Sequence, residues 1–493
     1  MRRRAVSCLS SLVVAVAAVT ADGAWPAQAF VPLPRSASPV DAPLIFRAAS
    51  GIDIVRMPPG LSPSSGQAPT IVPASPRPPA PPSPQPPPPR PTPIQPAHPF
   101  GRVIKLPVRI GSLSSDGQKG WLGVRMETLE LALALSLGLV NANGALIVET
   151  TAGGPAAVGG VRFGDIVVGY NGKTIESMND LRERVTSTTP STEALLEVWR
   201  VAADDGDFLQ ALRRLGDGGN AYVMYRLGKM YATGAGIARD EAEAVRWYRK
   251  GTAAGNLNAM TALAIALLEG RGTGKDPQEA VRLLKDAAAK DNAEAMHRLG
   301  ALLVQGQGVE KDALEAVRLF TKASEAGYSP AMVDLGLMYN NGVGVQTDML
   351  KAAMWYKRAA DLGNTYGMVN LGFLHQQGKG VEQDDVAAVS LYRRAANDGN
   401  PAGIHNLASM YDSGKGLERR NPDQAAELML RALEMGNEFS YKQMVANSRS
   451  WSADFRRALQ RKLRDAGFFT GRIDGSIRAS TIAAIDAYIK RNR

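Results

Sequence analysis

Residues 293–308 read AEAMHRLGALLVQGQG, residues 329–344 read SPAMVDLGLMYNNGVG and residues 365–380 read TYGMVNLGFLHQQGKG. The three stretches align without a gap at a period of 36. The period extends through six full copies from Asn220, with a leucine column at Leu227, Leu263, Leu299, Leu335, Leu371 and Leu407. The residue after each leucine is small (Gly228, Ala264, Gly300, Gly336, Gly372, Ala408), and a Gly-x-Gly follows in every copy, from Gly234/Gly236 to Gly414/Gly416. A second helical pattern comes next, as in Ala244-Val245-Arg246-Trp247-Tyr248, and most copies close on a glycine. Each copy therefore reads as helix, glycine turn, helix, glycine stop. The small residue lets two helices approach closely, and the Gly-x-Gly supplies the positive φ that ends the first helix. One such pair cannot bury its apolar face alone, so the copies must stack. A half copy at Phe208–Leu215 precedes them, which places the array at residues 204–436.

This pattern resembles the Sel-one-like repeats, relatives of the tetratricopeptide class. The resemblance implies an all-α, right-handed superhelical solenoid whose concave face holds other proteins. The column before the leucine varies in polarity, and Arg298, Asp334, Asn370 and Asn406 are its candidates for reading a partner, against an ordinary solvated face. His375 falls in the column of Tyr231, Tyr339 and Tyr411, which suggests aromatic packing. His297 and His405 share a column three copies apart. At about 8–10 Å per helix layer they are too distant to share a metal.

Upstream, residues 103–200 change to short apolar runs broken by glycine. Leu122–Met126, Ala145–Glu149, Ile166–Tyr170 and Ala194–Trp199 read as strands, Asn171-Gly172 as a hairpin turn, and Met178–Ser187 as a helix. Gly120-Trp121-Leu122-Gly123, Gly144-Ala145-Leu146-Ile147-Val148, Gly154-Pro155-Ala156-Ala157, Gly164-Asp165-Ile166-Val167, Asn171-Gly172 and Asp180-Leu181 occur in that order. The series resembles a PDZ domain of the type attached to periplasmic trypsin-like proteases, a small β-rich α+β fold. Glycines at 120 and 123 let successive N–H groups form a nest for a carboxylate. Leu122 and the strand Val124, Arg125, Met126 would offer an edge to which a partner peptide adds as a further strand. The helix would form the other wall. Leu181 and Val185 serve the core in this reading, which leaves Met178 and Arg182 on the rim. The peptide-binding set is thus Gly120, Trp121, Leu122, Gly123, Val124, Arg125, Met126, Met178 and Arg182.

The first hundred residues are not expected to fold. Arg2, Arg3 and Arg4, the apolar run Leu9–Ala21 and Ala27-Gln28-Ala29 before Phe30 read as a signal peptide over residues 1–29. Nineteen of the 31 prolines fall between Pro58 and Pro99, so residues 30–100 read as a disordered proline-rich linker. The single cysteine, Cys8, lies in the signal. A mature chain has no thiol for catalysis, disulfide or zinc, and no later stretch is apolar enough to span a membrane.

Residues 451–493 read as helix, glycine-rich turn, helix, carried by Gln460, Leu463, Gly467-Phe468-Phe469, Gly471, Asp474-Gly475, Thr481 and Tyr488. They resemble a small all-α peptidoglycan-binding domain, here placed at 437–493. The resemblance nominates Phe468, Phe469, Asp474 and Arg478 for a shallow glycan face. The family's usual glycine is replaced by Arg478, and its aromatic-Gln ending by Tyr488-Ile489. The competing reading is a cap on the last repeat. The chain's net charge of +10 concentrates here: residues 437–493 carry 12 Lys+Arg against 5 Asp+Glu, whereas residues 201–436 carry 27 against 29.

The chain thus reads as a multidomain, exported, non-catalytic scaffold of the bacterial envelope. Its partners would be proteins or peptides, with peptidoglycan a further ligand and no cofactor, metal or nucleic acid. A regulator acting through a kinase or protease fits the same modules. A trypsin-like catalytic domain has no room ahead of residue 103, where it would need about 200 residues.

Overall fold

The computed structural model describes residues 101–112, 119–202 and 207–492. The signal-peptide and linker expectations, residues 1–29 and 30–100, lie outside these. The described chain divides into two compact units, one ending at Ala259 and taking in residues 271–273, the other comprising residues 260–270 and 274–492.

The first unit opens with an antiparallel sheet. Its main strands are β1 (Gly101–Arg109), β4 (Val124–Thr128), β5 (Ala145–Thr150), β6 (Ile166–Tyr170) and β8 (Glu193–Val201), in the order β1-β8-β6-β5-β4. Two short strands, β2 (Gly111–Ser112) and β3 (Gly120–Trp121), pair with each other. Asn171 and Gly172 take positive φ, 51° and 74°, and turn β6 into the short strand β7 (Lys173–Thr174). Two consecutive left-handed residues match the twist of a tight hairpin. One face of the sheet buries Ile147, Val167, Leu196 and Val198 against Leu122, Leu181 and Val185. Asp165 of the glycine-aspartate motif is a clamp. It is buried, and its carboxylate accepts from Arg200 Nε and Nη2, both at 2.7 Å, and from Arg162 N at 2.7 Å.

The helices of this unit include α1 (Leu131–Ser136), α3 (Met178–Ser187) and α5 (Ala221–Thr233), the last being the first helix of the array. Short α2 (Pro155–Val158) and α4 (Phe208–Asp217) fall between them. The sheet portion and the first repeat are packed directly together. Phe208 lies edge-on to Phe163 at 5.5 Å, and a Cβ on Gly164 would sit 2.3 Å from the Phe208 ring. Arg226 of α5 is buried and pairs with Glu127 of β4 and, at 3.6 Å, with Glu130. Asn220 Nδ2 donates to Ser136 Oγ at 3.0 Å. Sequence reading did not foresee this junction.

In the second unit the helices run in pairs, mostly 13 residues long, for example Ala293–Gln305 with Ala313–Glu325 and Ser329–Asn341 with Met349–Asp361. Asparagine caps most first helices and aspartate most second helices, each side chain accepting from a first-turn N–H. The first glycine of the Gly-x-Gly is left-handed as expected, φ 72° at Gly306. The small residue after the leucine faces an aromatic ring: a Cβ on Gly336 would lie 2.5 Å from Tyr356 Cε1. The second glycine does something the sequence did not reveal. A Cβ on Gly344 would meet Ala313 O at 2.3 Å, so this glycine seats one copy on the preceding one. The cap asparagines also cross copies, with Asn400 Nδ2 donating to Thr365 Oγ1 at 2.9 Å and Asn364 Nδ2 to Ser329 Oγ at 3.3 Å. Asn220 makes the same bond to Ser136, so α1 stands where a preceding repeat would.

The array ends on residues 438–492. Phe455, Leu459 and Leu463 of the helix Ala453–Asp465, with Ile485 of the helix Ala479–Asn492, share one core with Met429, Leu430 and Leu433 of Pro422–Glu434. No helix among the described residues is long and apolar enough to cross a membrane.

Candidate functional site

Strand β4 is the last strand of its sheet, paired on one side with β5. Among the described residues its outer edge carries no strand. Val124 and Met126 are half-buried and lean on the core, as does Met178 at the start of α3. Leu181 and Val185 are core residues, and Arg182 is exposed one turn beyond Met178. An apolar floor thus lies between an open strand edge and a helix. The helix is firmly set. Ser177 Oγ accepts from Asp180 N at 3.2 Å, and Arg184 Nε donates to Asp180 Oδ1 at 2.6 Å. That bond from Arg184 holds the Asp180 carboxyl below its usual range and so keeps it ionised.

At the head of β4, the carbonyl of Leu122 accepts from Ala156 N at 2.9 Å and that of Gly123 from Thr151 N at 2.8 Å. In a trans peptide the C=O and N–H point in opposite directions, and the described chain contains no cis bond. The N–H groups of Gly123 and Val124 therefore point away from residues 151–156. Gly123 has φ 73°, and a Cβ there would meet Trp121 Cζ2 at 3.2 Å and Pro155 Cδ at 3.3 Å. Successive donors directed to one side form an anion-binding nest.

The predicted peptide-binding residues separate into three groups. Leu122, Gly123, Val124, Met126 and Met178 come together around the edge and nest, with Arg182 exposed on α3 and donating to Asn179 Oδ1 at 3.0 Å. Gly120 supports them from behind, since a Cβ there would lie 2.1 Å from Val185 O and wedge the loop off the helix. Trp121 and Arg125 stand elsewhere. The Trp121 ring spreads over Gly111, Gly123 and Gly154, on the α2 side of the loop. Arg125 is on the other face of β4, paired with Glu149 at 3.0 Å. Period-two alternation explains both positions.

The polar column of the array is not a solvated face. Arg298, Asp334, Asn370 and Asn406 are all buried. The physical reason is that the first helices are covered nearly all round: Pro330 through Met338 are buried without interruption. Asp334 Oδ2 instead meets His297 Nε2 at 2.8 Å, and Arg298 donates to Glu294 at 3.3 Å. His405 Nδ1 bonds Ser440 Oγ at 2.8 Å, and burial pushes its pKa down to about 4. His375 is tied through Nδ1 to the Glu382 carbonyl at 3.2 Å, a polar anchor in the tyrosine column.

In the C-terminal segment the motif residues serve as internal struts. Gln460 is buried, accepts from Gly475 N at 2.8 Å and donates to Ser476 O at 3.0 Å and Thr481 Oγ1 at 3.2 Å. Phe469 is buried, and half-buried Phe468 packs edge-on to Tyr488 at 5.4 Å. Asp474 accepts from Ser476 N at 2.8 Å and pairs with Arg478 at 3.2 Å. The backbone bond from Ser476 is the main reason its carboxyl titrates low. The basic helix is largely engaged: Arg461 with Asp423 at 2.9 Å, Lys462 with Glu427 at 3.2 Å, and Arg456 with the Gly475 carbonyl at 2.6 Å.

Comparison with known proteins agrees with this architecture. The Sel1 repeat model matches six times, at residues 221–256, 257–292, 293–328, 329–364, 365–400 and 401–437. A PDZ domain model matches residues 147–200. A probable periplasmic serine endoprotease DegP-like protein of Rhizobium meliloti is 41% identical over 93 residues, 18% of either chain. The similarly described protein of Chlamydia muridarum is 38% identical over 103 residues, 20% of either chain. The chain thus spans about a fifth of these relatives' length, and the similarity covers only the PDZ region. Among solved structures, a Sel1 repeat protein from Oxalobacter formigenes is 27% identical, covering 47% of this chain and 93% of that one at a TM-score of 0.43. By the two family models, the chain carries a PDZ domain and six Sel1 repeats. Both are non-catalytic protein-interaction modules.

Proposed function

We propose that this chain is an exported, non-catalytic adaptor of the bacterial envelope that captures free C-termini of partner proteins in the groove between β4 and α3. The observation that carries the reading is the outer edge of β4, to which no strand pairs among the described residues, headed by the outward N–H groups of Gly123 and Val124. A carboxylate seats in the nest, the preceding residues add as a strand to Val124–Thr128, and apolar side chains settle against Val124, Met126 and Met178. Main-chain hydrogen bonds supply affinity and the floor supplies selectivity. The envelope location is supported by the export-signal pattern of residues 1–29 and by relatives described as periplasmic. The array would hold a second protein.

For residues 437–493 we propose the capping role first. It is favoured by the shared core with Leu430 and Leu433 and by the pairing of Arg461 and Lys462 with the last repeat. Peptidoglycan docking would rest on the groups left at the surface, chiefly Arg478 beside Asp474. Sedimentation with purified sacculi, comparing wild type with Arg478→Glu, tests it. Unchanged pelleting, or none in either protein, removes wall docking.

The groove itself is tested by selecting a displayed library of free C-terminal peptides and titrating an enriched peptide by calorimetry. Gly123→Trp is expected to abolish binding while the melting of the array stays unchanged, and amidating the peptide's C-terminus is expected to do the same. Undiminished affinity in both arms would overturn the reading.

A further inference from the structure

We propose that ligand recognition continues past the groove: Leu131 and Leu135, exposed on α1, take a large apolar side chain from the sixth to ninth residues before the ligand's free C-terminus. This rests on the groove reading above and names the partner's chemistry more narrowly.

The direction of the ligand follows from the position of the nest. A carboxylate held at Gly123 and Val124 places the ligand's last residue beside the start of β4, so the added strand runs antiparallel to β4. Five residues, Val124–Thr128, are available for pairing. At about 3.4 Å per residue, the sixth ligand residue clears Thr128. The chain beside it turns in through buried Leu129 and enters α1 at Leu131. Leu131 is at most about 11 Å from Thr128, three extended residues.

The face presented there is unusual for a water-exposed helix. Leu133 and Ala134 are buried, but Leu131 is 54% and Leu135 is 56% exposed. Four apart, the two leucines are neighbours on one side of the helix. The platform is also held in place. Its C-terminal Ser136 accepts from Asn220, and Glu130 at its start accepts from the Tyr222 hydroxyl and pairs with Arg226. Tyr222 and Arg226 belong to the first repeat, so the array braces the extension of the groove. A six-residue helix carries little stability alone, and this bracing makes it a preorganised surface. The partner expected is a protein tail of at least nine residues, extended over its last five and bearing an aliphatic or aromatic side chain just upstream.

The test uses the chain from residue 30 onward and a displayed library of twelve-residue free C-termini, selected in parallel on wild type and on Leu131→Ser/Leu135→Ser. Wild type is expected to enrich large apolar residues at the sixth to ninth positions from the end, and the variant to lose that enrichment while keeping the preference over the last five. Cutting an enriched peptide to its last five residues should weaken binding to wild type about tenfold, about 1.4 kcal/mol, and leave binding to the variant unchanged. Circular dichroism of the variant, altered only at exposed positions, should match wild type. Enrichment confined to the last five positions, with no effect of shortening, would overturn this inference and leave the groove standing. No enrichment of free C-termini at all would overturn both.

Discussion

Acidification offers a direct test of how the C-terminal core is built. His405 is buried with its ring edge-on to Phe439 at 4.9 Å and to Trp451 at 5.5 Å, and with Nδ1 bonded to Ser440 Oγ. Burial in this aromatic setting depresses its pKa from 6.5 to about 4. The unfolded chain takes up a proton below pH 6.5, but the folded chain resists until about pH 4. The stability associated with neutral His405 is therefore intact above pH 6.5, declines through the interval and is gone at about pH 4. The full shift corresponds to about 3 kcal/mol. Carboxylates titrate in the same range, so the quantity to read is the difference between wild type and His405→Gln, which keeps a partner for Ser440. Urea unfolding of both proteins between pH 7 and pH 4 should show wild type losing about 3 kcal/mol more than the variant. The sequence has only four histidines, so the imidazole titration can also be followed by NMR. A His405 that titrates near 6.5 in the folded chain would refute the burial argument.

Further outcomes are expected elsewhere. Gly336→Ala places a methyl 2.5 Å from Tyr356 Cε1 and should cost about 1–3 kcal/mol, read as a lower unfolding temperature of the array with the β-sheet signal retained. Gln460→Ala leaves the Gly475, Ser476 and Thr481 groups without their buried partner. It should cost about 2–4 kcal/mol, with amide exchange accelerating first in residues 471–481. Arg226→Ala strips Glu127 and Glu130 of their shared cation. It should raise exchange in α1 and weaken nine-residue peptides more than five-residue ones.

What could be read in advance followed from periodicity. A 36-residue period repeated six times fixes helix pairs, their glycine turns and a close helix approach at the small residue after each leucine, but not that the ring Gly336 faces is that of Tyr356. The helix that begins at Met178 was legible because helical spacing is local, whereas the open edge of Val124–Met126 followed only from the resemblance to a PDZ domain. Contacts between unlike modules carry no period. Arg226 looked like one member of a variable column, and nothing marked it as the partner of Glu127, 99 residues away. The column itself was misjudged because amphipathic reasoning assumes a helix with one wet side, and Pro330–Met338 has none. The basic helix at Arg456–Arg464 looked like a free cationic surface for a related reason: its counter-charges, Asp423 and Glu427, lie a full repeat earlier.

The two connections within each copy are not equivalent. A Cβ on Gly344 or Gly380 would meet a carbonyl of the neighbouring copy at 2.3 or 2.1 Å, whereas one on Gly327 or Gly363 would meet nothing within 4 Å. Foreign sequence is therefore admissible at one kind of loop and forbidden at the other. A fluorophore, epitope or small domain grafted next to Gly363 would ride on the array without prising its layers apart, while the same graft at Gly380 would split the stack. Growth or shrinkage of such a protein over evolutionary time is correspondingly quantised, since only a whole copy can enter or leave without breaking a seat.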